Sequence, residues 1–497
     1  ANGYKYEYVK NDPLKTRIYT LDNGLKVYIT PNEDEPRFTG LIGVRAGSTS
    51  DPKETTGLAH YFEHMMFKGT ERLGTTNWEE ESKLIQQIEE QYEKHKVATD
   101  PDEKKRIYKS IDSLSQEAAK YVATNEYDKL MSAIGARSTN AGTSYESTVY
   151  INDVPVNELE RWAQLESERF KGIVLRLFHT ELETVYEEFN MYQDQDSERQ
   201  FNMLMKNLFP NHPYGRDVIG YPEHLKNPSM INIQQFYKDF YVPNNMAITL
   251  SGDLNYEETI KVIDQYFGDL KSKELPDRTQ PVEEPIAQVI EKEVVGPEAE
   301  NVMLAFRLGG VGSVDEGYMQ LIDMILTNSK AGLIDLNLVQ QQKVLSATTF
   351  FYALKDYGIF AMQGEPRQDQ SLNEVKDLML GELEKIKKGE FDEWLIQAIV
   401  NDLKLNQIRR DERNMGRAYN LMNEFINGQT RQSELEHLDK LAKITKADLV
   451  KFAKYEPLTD ENDAAIQKAI RLVEQTKFEE QFSVEETDSE ATSEAQV

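Results

Sequence analysis

Two histidines four residues apart, with a glutamate directly before the second, are the residues of this 497-residue chain whose spacing best suits chemistry. They are His60, Glu63 and His64, within the segment from Gly57 to Thr70. If this segment is helical, the three side chains share one face, because positions three and four apart stack on a helix. Two imidazoles on one face can bind Zn²⁺, and the intervening carboxylate can take a proton from metal-bound water. The segment therefore predicts a hydrolytic metal site.

The flanks of this motif carry a family resemblance. A histidine on a mostly apolar helix is more often a packed residue than a ligand, so the motif alone leaves both roles open. Gly47 precedes the motif and the run from Phe67 to Thr70 follows it. With these flanks the stretch resembles the inverzincin zinc metallopeptidases, the M16 family of pitrilysin, insulin-degrading enzyme and mitochondrial processing peptidase, in their zinc-bearing N-terminal half. The resemblance implies a zinc metalloendopeptidase with His60 and His64 as ligands and Glu63 as the catalytic base.

A catalytic zinc site needs a third protein ligand and an open position. The candidate ligand is Glu188, in the acidic segment from Glu181 to Asn190, which resembles the family's acidic helix. On that resemblance Glu188 binds zinc, and Glu181, two helical turns earlier on the same side, steadies the site. Glu183 and Glu187, in the same segment, are the competing register for these two roles. Without the resemblance, the ordinary interpretation of this segment is a solvated acidic helix.

A possible substrate strand follows in the segment from Gly135 to Tyr150, whose alternation and β-branched residues predict a strand. In the resembling family an Asn-Ala-x-Thr edge strand pairs with the substrate backbone, which holds an extended peptide without demanding a side-chain sequence. The resemblance makes Asn140, Ala141 and Thr143 the substrate-binding residues. The alternative is an ordinary sheet edge. Ala136 stands where the family often has a second glycine, which leaves the local turn geometry open.

The elements around these residues predict an α+β fold of two tandem homologous α/β-sandwich domains, each a mixed sheet packed with helices. A β-hairpin from Arg17 to Ile29 and a strand near Thr39 to Arg45 lead toward the zinc helix. The zinc-bearing domain is expected to cover residues 1–270, and a proline-rich linker residues 271–285. A second, non-catalytic domain is expected over residues 286–477.

A faint internal repeat supports the two-domain organisation. The run from Ala247 to Gly252 and the run from Ile359 to Gly364 are similar, and a helical pattern follows each of them. The segment from Met230 to Pro243 is likewise echoed by the segment from Ile444 to Pro457. After Pro457 the sequence is polar and helical where the first case has a strand, so the second domain is expected to lack a closing strand. Residues 478–497 are predicted to be a disordered acidic tail.

The gap from His64 to Glu188 is longer than the family usually shows, which predicts an insertion at about residues 78–123. Apolar residues recur at helical spacing on both sides of the break at Thr99 to Pro101, so the insertion is expected to be a helical hairpin. The first stripe is Leu84, Ile85, Ile88 and Tyr92, and the second is Ile107, Ile111, Leu114, Ala118 and Tyr121. Such stripes almost always serve packing. The hairpin is therefore interpreted as a surface addition near the cleft entrance with no chemistry of its own.

The composition of the chain limits the classes of molecule that it can bind and the residues that can hold a metal. The net charge of −29 argues against nucleic acid, whose phosphates would be repelled, and no apolar run is long enough to span a membrane. The chain has no cysteine, which excludes disulfides and thiolate ligands and leaves zinc to His, Glu or Asp. Ala1 is compatible with a periplasmic or exported protein after leader removal, and equally with a cloning boundary.

The resemblance also implies partners. Peptides are the expected substrates. The family completes its active site with an Arg and a Tyr from a second two-domain half, either further along the polypeptide or on a partner subunit, and no such pair is assigned in this chain. Full activity is therefore expected to need a second half, as a hetero- or homodimer. The rival hypothesis is a non-catalytic peptide-binding or scaffold subunit of the same fold, although such members usually lose the ligands or the base.

Overall fold

The computed structural model describes residues 3–226 and 228–454. Its strands, in chain order, are β1 (Tyr6–Glu7), β2 (Arg17–Thr20), β3 (Lys26–Pro31), β4 (Arg37–Val44), β5 (Arg137–Thr143), β6 (Thr148–Pro155), β7 (Met246–Gly252), β8 (Val302–Gly309), β9 (Ser346–Ala353) and β10 (Tyr357–Glu365). They form a seven-stranded sheet of order β1-β2-β3-β7-β4-β6-β5 and a three-stranded sheet of order β8-β10-β9. β3 and β7 run parallel and the other neighbours antiparallel, so the first sheet is mixed.

Helices pack on both sheets, which confirms the predicted α+β class. In chain order they are α1 (Leu58–Met65), α2 (Trp78–Val97), α3 (Pro101–Ala119), α4 (Glu126–Ala133), α5 (Leu159–Lys171), α6 (Phe178–Gln193), α7 (Asp196–Leu208), α8 (Pro222–Leu225), α9 (Met230–Phe240), α10 (Tyr256–Phe267), α11 (Val314–Leu326), α12 (Leu372–Lys388), α13 (Trp394–Asp411), α14 (Asn414–Asn427), α15 (Arg431–Leu441) and α16 (Lys446–Ala453). Among the described residues, no helix is long and apolar enough to cross a bilayer.

The predicted β-hairpin forms as β2 and β3. Its turn uses Gly24 at φ +84°, a conformation that glycine adopts without strain, and the Asn23 side chain accepts a hydrogen bond from the Leu25 N–H at 3.1 Å. The strand predicted near Thr39 to Arg45 is β4, which lies between β7 and β6 and ends shortly before α1. α1, which carries the predicted zinc ligands His60 and His64, contacts β5 and β6 at one edge of the first sheet.

Alternation along β4 divides the core of the first half between two faces. Phe38 and Ile42 pack in the main core with Trp162 of α5, whereas Leu41 packs on the opposite face with Met422 of α14. A helix from the second half of the chain therefore covers the outer face of the first sheet. The covering is reciprocal, because α7 and the loop after it pack on β10 of the second sheet.

Three neighbouring strands of the first sheet have the same order and pairing as the three strands of the second sheet. β8, β10 and β9 are arranged and paired antiparallel as β4, β6 and β5 are. The predicted repeat is therefore present, but the strands that suggested it were wrongly matched. The run from Ala247 to Gly252 lies in β7, which pairs parallel with β3. The similar run from Ile359 to Gly364 lies in β10, which takes the central position in the second sheet that β6 takes between β4 and β5 in the first. Similar hydrophobic runs mark buried central strands in general, which is why the match misled.

The predicted helical hairpin is confirmed as α2 and α3. Asn77 and Asp100 cap the two helices through their side chains, and Pro101 is the first residue of α3. The stripe residues Ile88, Tyr92 and Ile111 are buried against the rest of the first half. The Tyr92 hydroxyl also hydrogen-bonds His179 Nδ1 of α6 at 3.0 Å, so the hairpin rests on the start of α6.

The chain between the sheets, residues 271–301, carries no helix or strand. The domain limits at residues 270, 285 and 477 stay predictions. The closing strand expected after Pro457 and the acidic tail over residues 478–497 lie outside the described residues.

Candidate metal centre

A buried aspartate fixes the start of α1. Asp51 Oδ2 accepts from the Gly57 N–H at 2.7 Å and Asp51 Oδ1 accepts from the Ala59 N–H at 3.0 Å, so a side chain from the loop before the helix caps it. Gly57 is at φ +83°, and a Cβ there would lie 2.5 Å from the Ile219 carbonyl oxygen. Burial raises the pKa of Asp51 to about 7. The role of Asp51 was not predictable from the sequence, because no helix signal lies beside it in the chain.

A tyrosine joins α1 to α6, the two helices that carry the candidate ligands. The Tyr61 hydroxyl donates to the Phe178 carbonyl oxygen at 2.5 Å, and the two rings meet edge to face with centroids 5.0 Å apart. Tyr61 is 2% exposed and Phe178 is also 2% exposed, so the contact lies in the core. It fixes the relative position of the two helices next to the site.

The structure brings His60, His64 and Glu188 together. His60 Nε2 lies 3.7 Å and His64 Nε2 3.5 Å from Glu188 Oε2, and the three possible ligand atoms lie within 4.8 Å of one another. Within the described part of the chain, no other group of His, Cys, Asp or Glu meets this criterion. Two imidazole nitrogens and one carboxylate oxygen are the donor set of a catalytic zinc site with an open position. The residues present therefore fit zinc.

The protonation state of His60 suits a metal ligand. Burial, and to a lesser degree the neighbouring His64, lowers the pKa of His60 to about 3, so its imidazole is neutral and able to bind metal. His60 Nδ1 is buried without a hydrogen-bond partner among the described residues. The two imidazole rings are 4.8 Å apart and nearly perpendicular, at 76°.

Glu181 contacts the other nitrogen of His64. Glu181 Oε1 lies 2.8 Å from His64 Nδ1, and the ammonium of Lys68 forms an ion pair with Glu181 Oε2. Burial opposes ionisation, but the hydrogen bonds from His64 and Lys68 hold the pKa of Glu181 below its usual value. A proton on Nδ1 shared with this carboxylate leaves Nε2 free toward Glu188. Lys68 lies in the flank of the motif, just beyond the end of α1, so no helical spacing in the sequence predicts its contact with Glu181.

Glu63 lies beside the donors, on the same helix, and is 8% exposed. The Thr143 hydroxyl of β5 donates to Glu63 Oε2 at 2.6 Å. Burial raises the pKa of Glu63, and the hydrogen bond from Thr143 opposes that shift only in part. A buried carboxylate with a raised pKa beside a metal site is the arrangement that general bases use.

The predicted substrate strand is an edge of the first sheet. β5 pairs with β6 alone among the described strands, and its pairing shifts by a bulge between Arg137 and Asn140. Asn140 is exposed and Ala141 half-buried. The turn before the strand places the positive φ of +73° at Gly135, so the alanine at position 136 is accommodated.

Glu183 and Glu187, the alternative candidates on α6, lie away from the histidine pair. Glu183 and Glu187 are exposed, and Glu183 is 3.9 Å from His179 rather than near the histidine pair. His212 orders its own loop by accepting from the Tyr214 N–H at 3.2 Å and lies 3.3 Å from Asp356, so it too is engaged away from the histidine pair.

Two family models match the chain. One, described as Insulinase (Peptidase family M16), matches residues 27–110 and 112–221, and the other, described as Peptidase M16 inactive domain, matches residues 232–403. The chain belongs to the M16 family of peptidases. The first match includes α1, β5 and α6, which carry the site, and its break at residue 111 falls inside α3. Membership confirms the family resemblance of the segment from Gly57 to Thr70 and its flanks.

Individual M16 relatives are distant. The zinc protease PqqE of Helicobacter pylori is 24% identical over 410 residues, or 79% of this chain and 78% of that protein. The solved structure of a protease from Helicobacter pylori gives a TM-score of 0.69 at 20% identity, over 90% of this chain and 96% of that one. The periplasmic protease PqqL from Escherichia coli gives 0.65 at 18% identity, over 90% of this chain but 47% of that one.

These likenesses support a peptidase function at the level of the M16 family and show the fold that the chain shares with it. The match covers nearly all of the Helicobacter structure but about half of the PqqL structure.

Proposed function

We propose that the chain is a zinc metalloendopeptidase that hydrolyses short or unfolded peptides, with His60, His64 and Glu188 as metal ligands and Glu63 as base. The observation that carries the proposal is the convergence of three donor atoms within 4.8 Å. The buried carboxylate of Glu63 lies beside them on the helix that carries both histidines.

Zinc bound by these donors would lower the pKa of a coordinated water and polarise the substrate carbonyl. Glu63 then accepts the proton of the attacking water and returns it to the leaving amine. Thr143 holds Oε2 of Glu63, which leaves the other carboxylate oxygen for the proton. The raised pKa of Glu63 makes it a stronger base than an exposed glutamate once it is ionised.

Glu181 and Lys68 act as positioning residues. Glu181 fixes the His64 ring through Nδ1, and Lys68 keeps Glu181 in place and ionised. Neither side chain needs to touch the substrate. In this proposal three residues bind the metal, and Glu181 and Lys68 only orient one of those three, His64.

The peptide is proposed to pair with the free edge of β5 at Asn140 and Ala141, through main-chain hydrogen bonds. Only an extended chain can pair along a strand, which accounts for a preference for short or unfolded substrates. Thr143 lies on the same strand, and its hydroxyl contacts the base. A bound peptide would therefore run directly past Glu63.

The test is Glu63→Gln. We expect this variant to keep one zinc per chain, because the amide does not remove a ligand, and to lose at least about a hundredfold in turnover of a quenched peptide, because it cannot accept a proton. Glu187→Gln, at an exposed position of α6, is the matched control and should behave as the unchanged chain. Near-native turnover in Glu63→Gln would remove Glu63 from the mechanism.

We further propose that the chain needs a second half for full activity, because no donor for the developing oxyanion is assigned in it. A missing donor of this kind typically costs about a hundredfold or more in rate. The purified chain would be assayed alone and with a homologous second half, with its mass followed by light scattering. Full activity from a strict monomer would contradict the proposal. Zinc binding without turnover under any of these conditions would favour the non-catalytic alternative.

The likeness to PqqL, a periplasmic protease, supports a periplasmic or exported location as a proposal. Cell fractionation with an antibody to the chain would test it.

A further inference from the structure

The turn between β5 and β6 lies next to the candidate base. Residues 144–147 form this turn, and Thr143, the last residue of β5, donates to Glu63 Oε2 at 2.6 Å. The Thr143 hydroxyl also lies 3.2 Å from the hydroxyl of Thr148, the first residue of β6. Both ends of the turn therefore meet at the hydroxyl that contacts Glu63, and a shift of the turn would move that hydroxyl.

The loop that leads to α1 holds the main chain of this turn. The Ser144 carbonyl oxygen accepts from the Ser48 N–H at 3.1 Å. The Tyr145 carbonyl oxygen accepts from the Thr49 N–H at 3.0 Å and from the Thr49 hydroxyl at 2.8 Å. These bonds use main-chain oxygens of the turn, whereas the side chain of Glu146 has a different partner.

That partner is Tyr214, in the loop after α7. Its hydroxyl donates to Glu146 Oε1 and accepts from the Asp356 N–H at 3.1 Å. Asp356 lies in the turn between β9 and β10, so it belongs to the second half of the chain. Tyr214 is fully buried, and Leu354 of the same turn packs in one apolar cluster with Tyr214 and Tyr145. One hydroxyl therefore joins a turn of the first sheet to a turn of the second sheet.

The loop that carries Tyr214 is itself fixed. His212 Nδ1 accepts from the Tyr214 N–H at 3.2 Å, and His212 Nε2 lies 3.3 Å from Asp356 Oδ2. The buried carboxylate of Glu283 accepts from the N–H groups of Asn211 at 2.7 Å and of His212 at 2.6 Å. Because its loop is held by the linker and by the second half, Tyr214 is a rigid connection between them and Glu146.

We propose that Tyr214 is a positioning residue through which the second half of the chain holds the turn between β5 and β6, and with it the Thr143 hydroxyl against Glu63. The inference rests on the proposed function, in which Glu63 is the base. Buried hydrogen-bonded groups transmit position, because a neighbour that moves leaves a polar group unpaired. The half without the candidate ligands thereby takes part in the reaction.

The first experiment measures hydrogen exchange in the full chain as Tyr214→Phe. This variant keeps the ring and its packing but leaves Glu146 and the Asp356 N–H without their shared partner. We expect exchange in residues 137–148 to become at least about fivefold faster, because an unpaired buried group favours opening of the turn. Unchanged exchange in these residues would overturn the proposal.

The matched control is Tyr357→Phe. The Tyr357 hydroxyl accepts from the Glu283 N–H at 2.8 Å, so this variant removes a hydroxyl at the same junction without touching the turn between β5 and β6. It should leave exchange in residues 137–148 as in the unchanged chain. Equal acceleration in Tyr357→Phe and Tyr214→Phe would show a general loosening of the junction and would contradict the proposal.

Two variants at Glu146 test the same connection from its other end. Glu146→Leu removes the acceptor and should accelerate exchange as Tyr214→Phe does. Glu146→Gln keeps a carbonyl oxygen that can accept from the Tyr214 hydroxyl, so it should retain most of the protection. Equal exchange in the Leu and Gln variants would show that this hydrogen bond does not hold the turn, and the proposal would be wrong.

The second experiment asks whether Tyr214 acts through Thr143. We would measure kcat on a saturating quenched peptide for the unchanged chain, Tyr214→Phe, Thr143→Val and the double variant. Tyr214→Phe should lower kcat by about three- to tenfold in the unchanged chain and by less than about twofold in Thr143→Val, which has no hydroxyl left to position. Equal losses in both backgrounds, or no loss in either, would overturn the proposal.

The proposed function and this inference can fail separately. None of the variants removes a candidate ligand, so each should bind as much zinc as the unchanged chain. If the unchanged chain cleaves no peptide, the proposed function fails, and exchange in residues 137–148 still decides whether Tyr214 holds the turn. If the unchanged chain is active but Tyr214→Phe alters neither exchange nor kcat, the inference fails and the proposed function stands.

Discussion

The two halves of the molecule place a helix in the same position and use it differently. In the first half β4 leads to α1, where His60, Glu63 and His64 lie, and in the second half β8 leads to α11. The inward residues of α11 are Met319, Leu321, Ile322, Ile325 and Leu326, which are all buried in the core of that half. One strand–helix arrangement thus carries the candidate metal site in one half and serves packing in the other. The scaffold supplies position, and a few side chains decide the chemistry.

The largest expected effect concerns the ligands. His60→Ala or His64→Ala should abolish stoichiometric zinc and peptidase activity, because two remaining protein ligands make a poor catalytic zinc site. Elemental analysis and a quenched-peptide assay measure both quantities. His437→Ala, in the second half, where the imidazole contacts Gln320 at 2.8 Å, should change neither. One zinc still bound after both substitutions in the first half would show that the halves do not differ in the way described.

A smaller effect is expected from the residues that orient the ligands. Lys68→Met should weaken zinc binding by about 10- to 100-fold, because Glu181 loses its partner and holds the His64 ring less firmly. Competition with a chelator gives the affinity, and Lys68→Arg, which keeps the charge, should recover part of it. Lys83→Met removes an exposed ion pair on α2 and serves as the control. Equal affinities in the Lys68→Met and Lys83→Met variants would leave Lys68 without a role at the site.

The smallest effect tests whether the two halves form one folding unit. A Cβ at Gly43 of β4 would lie 2.2 Å from the sulfur of Met422 of α14. Gly43→Ala should therefore lower the free energy of unfolding by about 1–3 kcal/mol, because the packed interface has no space for it. Chemical denaturation measures the loss, and Met422→Ala in the same chain should relieve part of it. Gly142→Ala on the open edge of β5, where no atom lies within 4 Å of the added carbon, should cost much less.

Much of the site was predictable from the sequence. The spacing of His60, Glu63 and His64 implies a shared helical face, because helix geometry is local and fixes which residues stack. The hairpin of α2 and α3 followed from apolar stripes and a proline break for the same reason. The choice of Glu188 over Glu183 and Glu187 rested on a family resemblance, and the distances in the structure agree with that choice without testing its role as a ligand.

Only the tertiary structure decided the contacts that no local pattern marks, most of them between segments far apart in the chain. Asp51 caps α1, Thr143 contacts Glu63, and Glu181 lies between His64 and Lys68, although 117 residues separate His64 from Glu181. The mismatch of β7 with β10 has the same origin, because a buried central strand looks alike in sequence wherever it lies in a sheet. Local spacing determines which side chains share a helix face, whereas long-range packing determines which faces meet.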